Sequence, residues 1–275
     1  MPSRFPIGRR ALAGAVTALL AVGLVGCASG GSASTSKVSG SKDLVAAAAT
    51  SKGLVVGTEG TYKPFSYHDA TTNKLTGYDI DVTDAVAKEL GVKVTFQETQ
   101  WDGIFAALDA KRIDLIANQV SITPERQAKY SFSNPYTVSP GVIITRADDK
   151  SISSFADLKG KTTAQSNTSD WYTLAQKSGA NVQAVEGWAQ AVALLQQGRI
   201  DATVNDKLTL LDYEKQNPNA KLRIAATASD PAKNAFTFRK TSTLSKDFDK
   251  ALAALKANGT LAKISKKYFG VDVSQ

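Results

Sequence analysis

Three residues have side chains and sequence positions that suit the binding of a small zwitterion: Arg126, Ser121 and Asp206. Arg126 ends the segment SITPER and offers a bidentate donor for a carboxylate, and Ser121 at its start adds a hydroxyl and a backbone N–H. Asp206 is the matching acceptor for an ammonium group. Ordinary structural roles stay open: Arg126 can be a solvated residue in the first turn of a helix after Pro124, and Asp206 can cap a helix over residues 207–214.

Aromatic and polar side chains near predicted strand ends extend this candidate surface. Tyr62 lies in a loop containing Gly and Pro after the first strand, and Trp101 begins a helix, so both can wall a cleft. Loop packing for Tyr62 and helix–sheet packing for Trp101 are the alternatives. Residues 165–169 (QSNTS) precede a helix, where backbone N–H groups can bind an anion.

The elements that must position these residues alternate between short strands and helices. The patterns predict strands over 54–58, 93–98 and 113–117, and helices over 79–90 and 101–110. Apolar residues of the second helix recur at i, i+3, i+4 and i+7, which predicts one face packed on a sheet. Such alternation predicts an α/β fold with mostly parallel strands covered by helices.

A weak internal repeat predicts two similar lobes. Residues 101–119 align without gaps on residues 188–206, at an offset of 188 − 101 = 87. The identical pairs are Trp101/Trp188, Ala106/Ala193, Leu108/Leu195, Arg112/Arg199, Ile113/Ile200, Asp114/Asp201 and Asn118/Asn205. Ligands of open α/β sheets bind beyond the carboxyl ends of the strands, so residues 119–121 and 205–206 are expected to face one cleft from opposite lobes.

The path of the chain between the lobes follows from two apolar runs. Residues 141–146 and 235–239 are predicted as two strands that cross between lobes and form a hinge. Lobe 1 then comprises residues 52–140 and 235–275, with helices over 244–257 and 260–268, and lobe 2 comprises residues 141–234.

The N-terminus is typical of a secreted chain. Arg4, Arg9 and Arg10 precede an apolar run that ends just before Cys27, so residues 1–26 are predicted to be a signal peptide. The surroundings of Cys27 resemble a bacterial lipobox, in which the cysteine carries a lipid. Residues 27–51 are therefore expected to be a lipidated Cys and a flexible tether. Removing residues 1–26 lowers the formal charge from 33 − 25 = +8 to 30 − 25 = +5.

Composition excludes several classes of function. A chain of 275 residues with 43% apolar content can bury a core, so it is not intrinsically disordered. A single Cys excludes a disulfide scaffold and Cys-based zinc sites, and a single His disfavours His clusters and His-dependent nucleophiles. No metal and no cofactor is expected. Lys263, Lys266 and Lys267 fit a solvated helix face better than a nucleic-acid site.

Several motifs together resemble one family. The segments EGTYKPFS (59–66), KLTGY (74–78), FSNPY (132–136) and GTLAKISKKYFG (259–270), with residues 101–114 and 121–126, resemble the polar amino-acid solute-binding proteins of ABC importers. EGTY-x-PFS, WDG, KRID and NQV-x-I most resemble the cystine-binding subgroup. The resemblance implies a two-lobed periplasmic-binding-protein-like fold of type II, and a receptor rather than an enzyme.

The resemblance also assigns roles to residues. It implies that Arg126 binds the ligand α-carboxylate beside Ser121, and that Asp206 binds the α-amino group. The other implied ligand-binding residues are Gln119 as a strand-end carbonyl partner, Tyr62 and Trp101 as aromatic walls, Thr168 and Ser169 as second-lobe donors, and Glu59 for a distal polar group.

The implied partners are an amino acid, with L-cystine favoured, and an ABC permease. The lipid would hold a monomer on the extracytoplasmic face of the cell membrane, with no contact to nucleic acid. Arginine, histidine or glutamine remain alternative ligands, because the contacts to the α-groups are shared. A dehydratase or peptidoglycan lyase on the same fold is the enzymatic alternative, with Glu59 as acid or base.

Overall fold

The computed structural model describes residues 53–274, and the predicted signal peptide, the Cys27 lipidation site and the tether lie outside them. The strands are β1 (Leu54–Thr58), β2 (Thr61–Tyr62), β3 (Ser66–His68), β4 (Leu75–Thr76), β5 (Val94–Glu98), β6 (Leu115–Ser121), β7 (Tyr130–Phe132), β8 (Thr137–Ser139), β9 (Gly141–Arg146), β10 (Thr162–Gln165), β11 (Asn181–Ala184), β12 (Thr203–Asp206), β13 (Leu222–Thr227) and β14 (Ala232–Arg239). The helices are α1 (Tyr78–Leu90), α2 (Trp101–Asp109), α3 (Pro124–Lys129), α4 (Asp170–Lys177), α5 (Trp188–Gln196), α6 (Lys207–Gln216), α7 (Leu244–Ala257) and α8 (Thr260–Phe269), with a short 3₁₀ helix at Phe155–Leu158.

The first lobe is built on one mixed sheet. Its order is β5-β1-β6-β14-β7, with β8 also paired to β14. Strands β5, β1 and β6 are parallel, whereas β14 runs antiparallel to β6, β7 and β8. Helices α1, α7 and α8 pack on the strands in one core, and α2 contributes to a second. We call this sheet, with the small β2-β3-β4 sheet and helices α1, α2, α3, α7 and α8, the first lobe.

The second lobe repeats the plan with different strand directions. Strands β12, β9 and β13 form an antiparallel sheet, and β10 and β11 a parallel pair. A parallel bridge between Thr163 and Ala202 links the two sheets. We call these sheets with helices α4, α5 and α6 the second lobe. The expectation of mostly parallel strands is therefore wrong: among the described strands three pairings are parallel and seven are antiparallel, because hydrophobic periodicity does not encode strand direction.

The two connections between lobes run beside the predicted strands rather than along them. Residues 141–146 form β9 inside the second lobe, and residues 235–239 belong to the part of β14 that pairs within the first sheet. The segments that meet at the crossing are β8 and the first residues of β14, which pair antiparallel. Pro140 ends β8 because proline has no N–H for the ladder. Two crossing segments are present, and the residue boundaries predicted for the two lobes stay a prediction.

The internal repeat has a structural basis in one turn used twice. Lys111 and Gly198 occupy equivalent left-handed positions, with φ of 59° and 69°. Asp114 then accepts the backbone N–H of Val55 at 2.9 Å, as Asp201 accepts that of Thr162 at 2.7 Å. Each aspartate thereby joins its helix-turn-strand unit to the neighbouring strand.

An arginine locks each copy of this turn. Arg239 donates to the carbonyl oxygens of Leu108 and Ile113, and Arg146 donates to those of Leu195 and Ile200. These four acceptors occupy equivalent positions of the repeat, so the similarity between lobes extends beyond the aligned segments. Within residues 53–274, no helix is both long and apolar enough to cross a bilayer.

Candidate functional site

A cavity of about 50 Å³ lies between the lobes, where strand ends and helix starts converge. That space holds a few water molecules, so a ligand of amino-acid size enters only when the lobes separate or side chains move. The lining residues are Glu59, Thr61, Tyr62, Trp101, Asn118, Gln119, Ala164, Gln165, Ser166, Ser169, Asp170, Trp171, Gly187, Trp188, Ala191, Val204, Asn205, Asp206 and Asn234. Both lobes therefore contribute to one cleft, as the repeat predicts.

Asp206 combines the two roles open to it in the sequence. It ends β12 and caps α6, since its Oδ1 accepts the Leu208 N–H at 2.8 Å and the Ser139 hydroxyl at 2.6 Å. Its Oδ2 is buried and has no hydrogen-bond partner within residues 53–274. Burial raises the pKa of Asp206 to about 6. An unpaired buried carboxylate oxygen is costly, and an ammonium group at that point removes the cost.

Glu59 supplies a second carboxylate from the loop after β1. Its Oε2 accepts the Asn118 side-chain amide at 2.6 Å, and its backbone N–H donates to Asn118 Oδ1 at 2.9 Å. Burial raises the pKa of Glu59 to about 7, and the charge of Asp102 adds to the shift. The loop carboxylate is thus held rigidly at the cavity wall.

Tyr62 and Trp101 line the cavity, and their role as aromatic walls for a ligand stays a prediction. The Tyr62 hydroxyl donates to Asn205 Oδ1 at 2.7 Å and accepts the Thr209 hydroxyl at 3.3 Å, which ties the first lobe to the second. Trp101 begins α2, and its buried Nε1 has no partner among the described residues. Trp101 therefore keeps a free donor.

Gln119 and Ser169 also reach the cavity. Gln119 has a left-handed backbone (φ 50°), and both its N–H and its side-chain amide donate to the buried carboxylate of Asp79, at 2.9 and 2.6 Å. Burial raises the pKa of Asp79 to about 7. Ser169 caps α4 by accepting the Tyr172 N–H at 3.0 Å. The polar segment before α4 is thus a capped helix start, as expected.

Arg126, Ser121 and Thr168 lie next to the cavity but do not line it. Arg126 is in the first turn of α3, where Nη1 donates to the Ser121 carbonyl at 3.1 Å and Nη2 to the Thr168 carbonyl at 3.3 Å. The Ser121 hydroxyl donates to Asn234, and Thr168 donates through its N–H and hydroxyl to Asp102. Direct contacts between lobes cover the predicted carboxylate site in this conformation.

Some residues that line the cavity were not predicted from the sequence. Trp188 occupies the position equivalent to Trp101, so the repeat itself was a signal for it. Asp170, Trp171 and Asn234 carried no such signal, because they face the cavity only through the start of α4 and the crossing of β14. Sequence periodicity says nothing about such placement.

The charged residues that line the cavity are all acidic. Within residues 53–274, three lining residues are acidic (Glu59, Asp170 and Asp206) and none is Lys, Arg or His. Nowhere in the described part of the chain are three or more potential metal ligands arranged to hold an ion. The cavity therefore favours groups that carry ammonium-like charge beside an apolar body.

The chain is similar to solved structures of amino-acid receptors. The L-cystine solute receptor of Neisseria gonorrhoeae, solved unliganded and open, is 46% identical over 84% of this chain and 99% of its own, with a TM-score of 0.58. An ancestral arginine-binding protein bound to arginine is only 37% identical over 79% of this chain and 98% of its own, yet its TM-score is 0.74.

The sequence comparisons identify the family. The L-cystine-binding protein TcyA of Bacillus subtilis (strain 168) is 54% identical over 223 residues, which cover 81% of this chain and 83% of that protein. These relatives are binding proteins rather than enzymes, in agreement with the expected non-catalytic role. Residues 54–271 match the bacterial extracellular solute-binding proteins, family 3, and the chain belongs to that family.

Proposed function

We propose that this protein is the receptor of an amino-acid ABC importer and that its ligand is L-cystine. The observation that carries the proposal is an acidic cavity with aromatic walls, in which the buried Oδ2 of Asp206 is without a partner among the described residues. Cystine has two ammonium groups, and Asp206 and Glu59 offer a carboxylate for each. Its apolar disulfide fits between aromatic rings, and the similarity to a named L-cystine-binding protein supports the same choice.

The α-carboxylate of the ligand is assigned to Arg126. The guanidinium and the Ser121 hydroxyl lie in the first lobe, and Thr168 and Ser169 lie in the second, so closure brings donors from both sides onto one anion. Gln119 and its Asp79 anchor position the strand-end carbonyl. Tyr62 and Trp101 wall the side chain. Binding across the cleft favours the closed state because only that state makes contacts from both lobes.

The cellular setting follows from the N-terminal residues. Residues 1–26 are assigned as a signal peptide and Cys27 as the lipidated residue, with residues 27–51 as the tether. Lobe 1 is placed at residues 52–140 and 235–275, and lobe 2 at 141–234. The protein then acts as a monomer on the extracytoplasmic face of the membrane, where the closed form delivers its ligand to the permease.

Calorimetric titration of the mature protein, kept in mild detergent, tests this function. Cystine is expected to bind more tightly than arginine, histidine or glutamine. Asp206→Asn should weaken cystine binding by about thirtyfold or more, because a buried charge loses its partner. Arginine is the second candidate, since the lining is acidic. Binding of arginine without any binding of cystine would contradict the proposed ligand.

A further inference from the structure

Asp170 lies where the second lobe meets the predicted carboxylate site. It is the first residue of α4, directly after the Ser169 cap, and it lines the cavity. Its Oδ1 is 3.6 Å from Nη1 of Arg126, which belongs to α3 of the first lobe. The two side chains are 22% and 11% exposed, so this ion pair between lobes is largely shielded from solvent.

The surroundings of Arg126 leave Asp170 as the anion facing it. The carbonyl oxygens of Ser121 and Thr168 accept two of its N–H groups. The guanidinium lies over the rings of Trp101 and Phe105, at 5.3 and 5.5 Å from their centroids. Asp170 lines the cavity and Arg126 does not. A carboxylate that comes from the cavity therefore meets Asp170 before it reaches the guanidinium.

We propose that Asp170 is an internal competitor for the ligand carboxylate: it pairs with Arg126 when the lobes close without ligand and must give up that pairing when a ligand binds. The inference rests on the proposed function, in which Arg126 binds the α-carboxylate. Two anions beside one guanidinium repel each other, so Asp170 lowers the affinity for ligands that carry a carboxylate. The same contact stabilises the closed, unliganded form and helps the ligand to leave.

A role for Asp170 as an ammonium acceptor is the competing explanation. The geometry disfavours it, because the nearest opposite charge to Asp170 is Arg126. The buried carboxylate oxygen without a partner among the described residues belongs to Asp206. The two explanations predict opposite effects of removing the charge of Asp170, which makes them separable by experiment.

The test compares Asp170→Asn with the wild type for two ligands. Cystamine is cystine without its two carboxylates, so it keeps both ammonium groups and the disulfide. Asp170→Asn should tighten cystine binding by about threefold to tenfold, the size expected of a partly shielded ion pair. Cystamine binding should stay the same or weaken.

Two controls make the result specific. Glu186→Gln removes one negative charge from an exposed position that lines a separate groove with Asp102, and it should leave the affinity for cystine unchanged. Asp170→Ser is a second neutral variant that suits a helix start, and circular dichroism checks the fold of each variant.

The outcomes separate this inference from the proposed function. Suppose that the wild type binds cystine, and that the affinity is unchanged or weaker in both Asp170→Asn and Asp170→Ser. That result would overturn the inference and leave the proposed function intact. Equal tightening in Glu186→Gln would also overturn it, because general charge would then be the cause. A wild type that binds no amino acid would contradict the proposed function and the inference together.

Discussion

At the scale of single residues, the buried carboxylates predict how ligand binding depends on pH. Burial raises the pKa of Asp206 to about 6 and that of Glu59 to about 7, with the nearby charges of Asp170 and Asp102 adding to each. An ammonium group binds only the ionised forms. The affinity for an amino acid should therefore fall by about tenfold or more from pH 7 to pH 5, as calorimetry at several pH values would show. The α-carboxylate and ammonium groups of the ligand stay charged in this range.

The unliganded protein should show the opposite trend, which serves as the control. The folded-state pKa values of Asp79, Glu59 and Asp206 lie above their unfolded values. Such groups stabilise the fold at low pH and lose that contribution as the pH rises through the folded pKa. The melting temperature of the unliganded protein should thus rise as the pH is lowered from 8 to 5. If the melting temperature and the affinity both fell as the pH was lowered, acid unfolding would explain the loss of binding. That result would contradict the assignment of the pH dependence to Asp206 and Glu59.

The residue types in the site were largely predictable, but their present contacts were not. Asp206, Glu59, Tyr62, Trp101, Gln119 and Ser169 line the cavity, since strand ends and helix starts can be read from periodicity and caps. Arg126, Ser121 and Thr168 lie behind other groups, because closure pairs Arg126 with the second lobe. The angle between lobes depends on contacts distant in sequence, which local patterns do not contain.

At the scale of elements, the repeated turn predicts a stability difference between two glycines. Gly198 has φ 69°, and no atom lies within 4 Å of an added Cβ, so Gly198→Ala meets backbone strain alone. The free energy of unfolding of the variant, measured by urea denaturation, should be about 1 kcal/mol lower than that of the wild type. Gly103→Ala is the matched control in α2, where an added Cβ has ordinary contacts and alanine favours the helix, so stability should rise by about 0.5–1 kcal/mol. Equal effects at the two sites would contradict this interpretation of the turn.

The order of helices and strands along the chain could be predicted from the sequence, but the pairing of the strands could not. Helix α7 and strand β1 match the predicted bounds. The predicted strand over 113–117 begins two residues later, because Asp114 still belongs to the turn. The prediction of mostly parallel strands was wrong in both lobes, since β14 runs antiparallel to its neighbours in the first lobe and β9 does so in the second. Antiparallel pairing of β9 with β12 and β13 depends on where the chain re-enters the sheet after the crossing, and side-chain patterning is similar for either direction.

At the scale of the whole molecule, polar contacts hold the lobes together across the cleft, among them the Arg126–Asp170 ion pair and the Ser139–Asp206 hydrogen bond. Tyr62 reaches Asn205 and Thr209, Arg126 reaches Thr168, Thr168 reaches Asp102, and Lys63 reaches Gln216. Polar contacts at the rim and wall thus contribute to closure without ligand. Such contacts exchange readily with water, which suits a receptor that must reopen.

Tyr62 should set the balance between open and closed forms, because its ring packs against the cores of both lobes and its hydroxyl bonds to the second. Tyr62→Phe keeps the ring and removes the hydrogen bonds, so cystine affinity should fall by about threefold to tenfold. Small-angle scattering should show a larger radius of gyration for the unliganded variant than for the wild type, and equal radii when both are saturated with ligand. Tyr213→Phe is the control, since the Tyr213 hydroxyl donates to Gln196 within the second lobe and should affect neither quantity. Unchanged affinity and radius in Tyr62→Phe would show that closure depends on the other contacts between lobes.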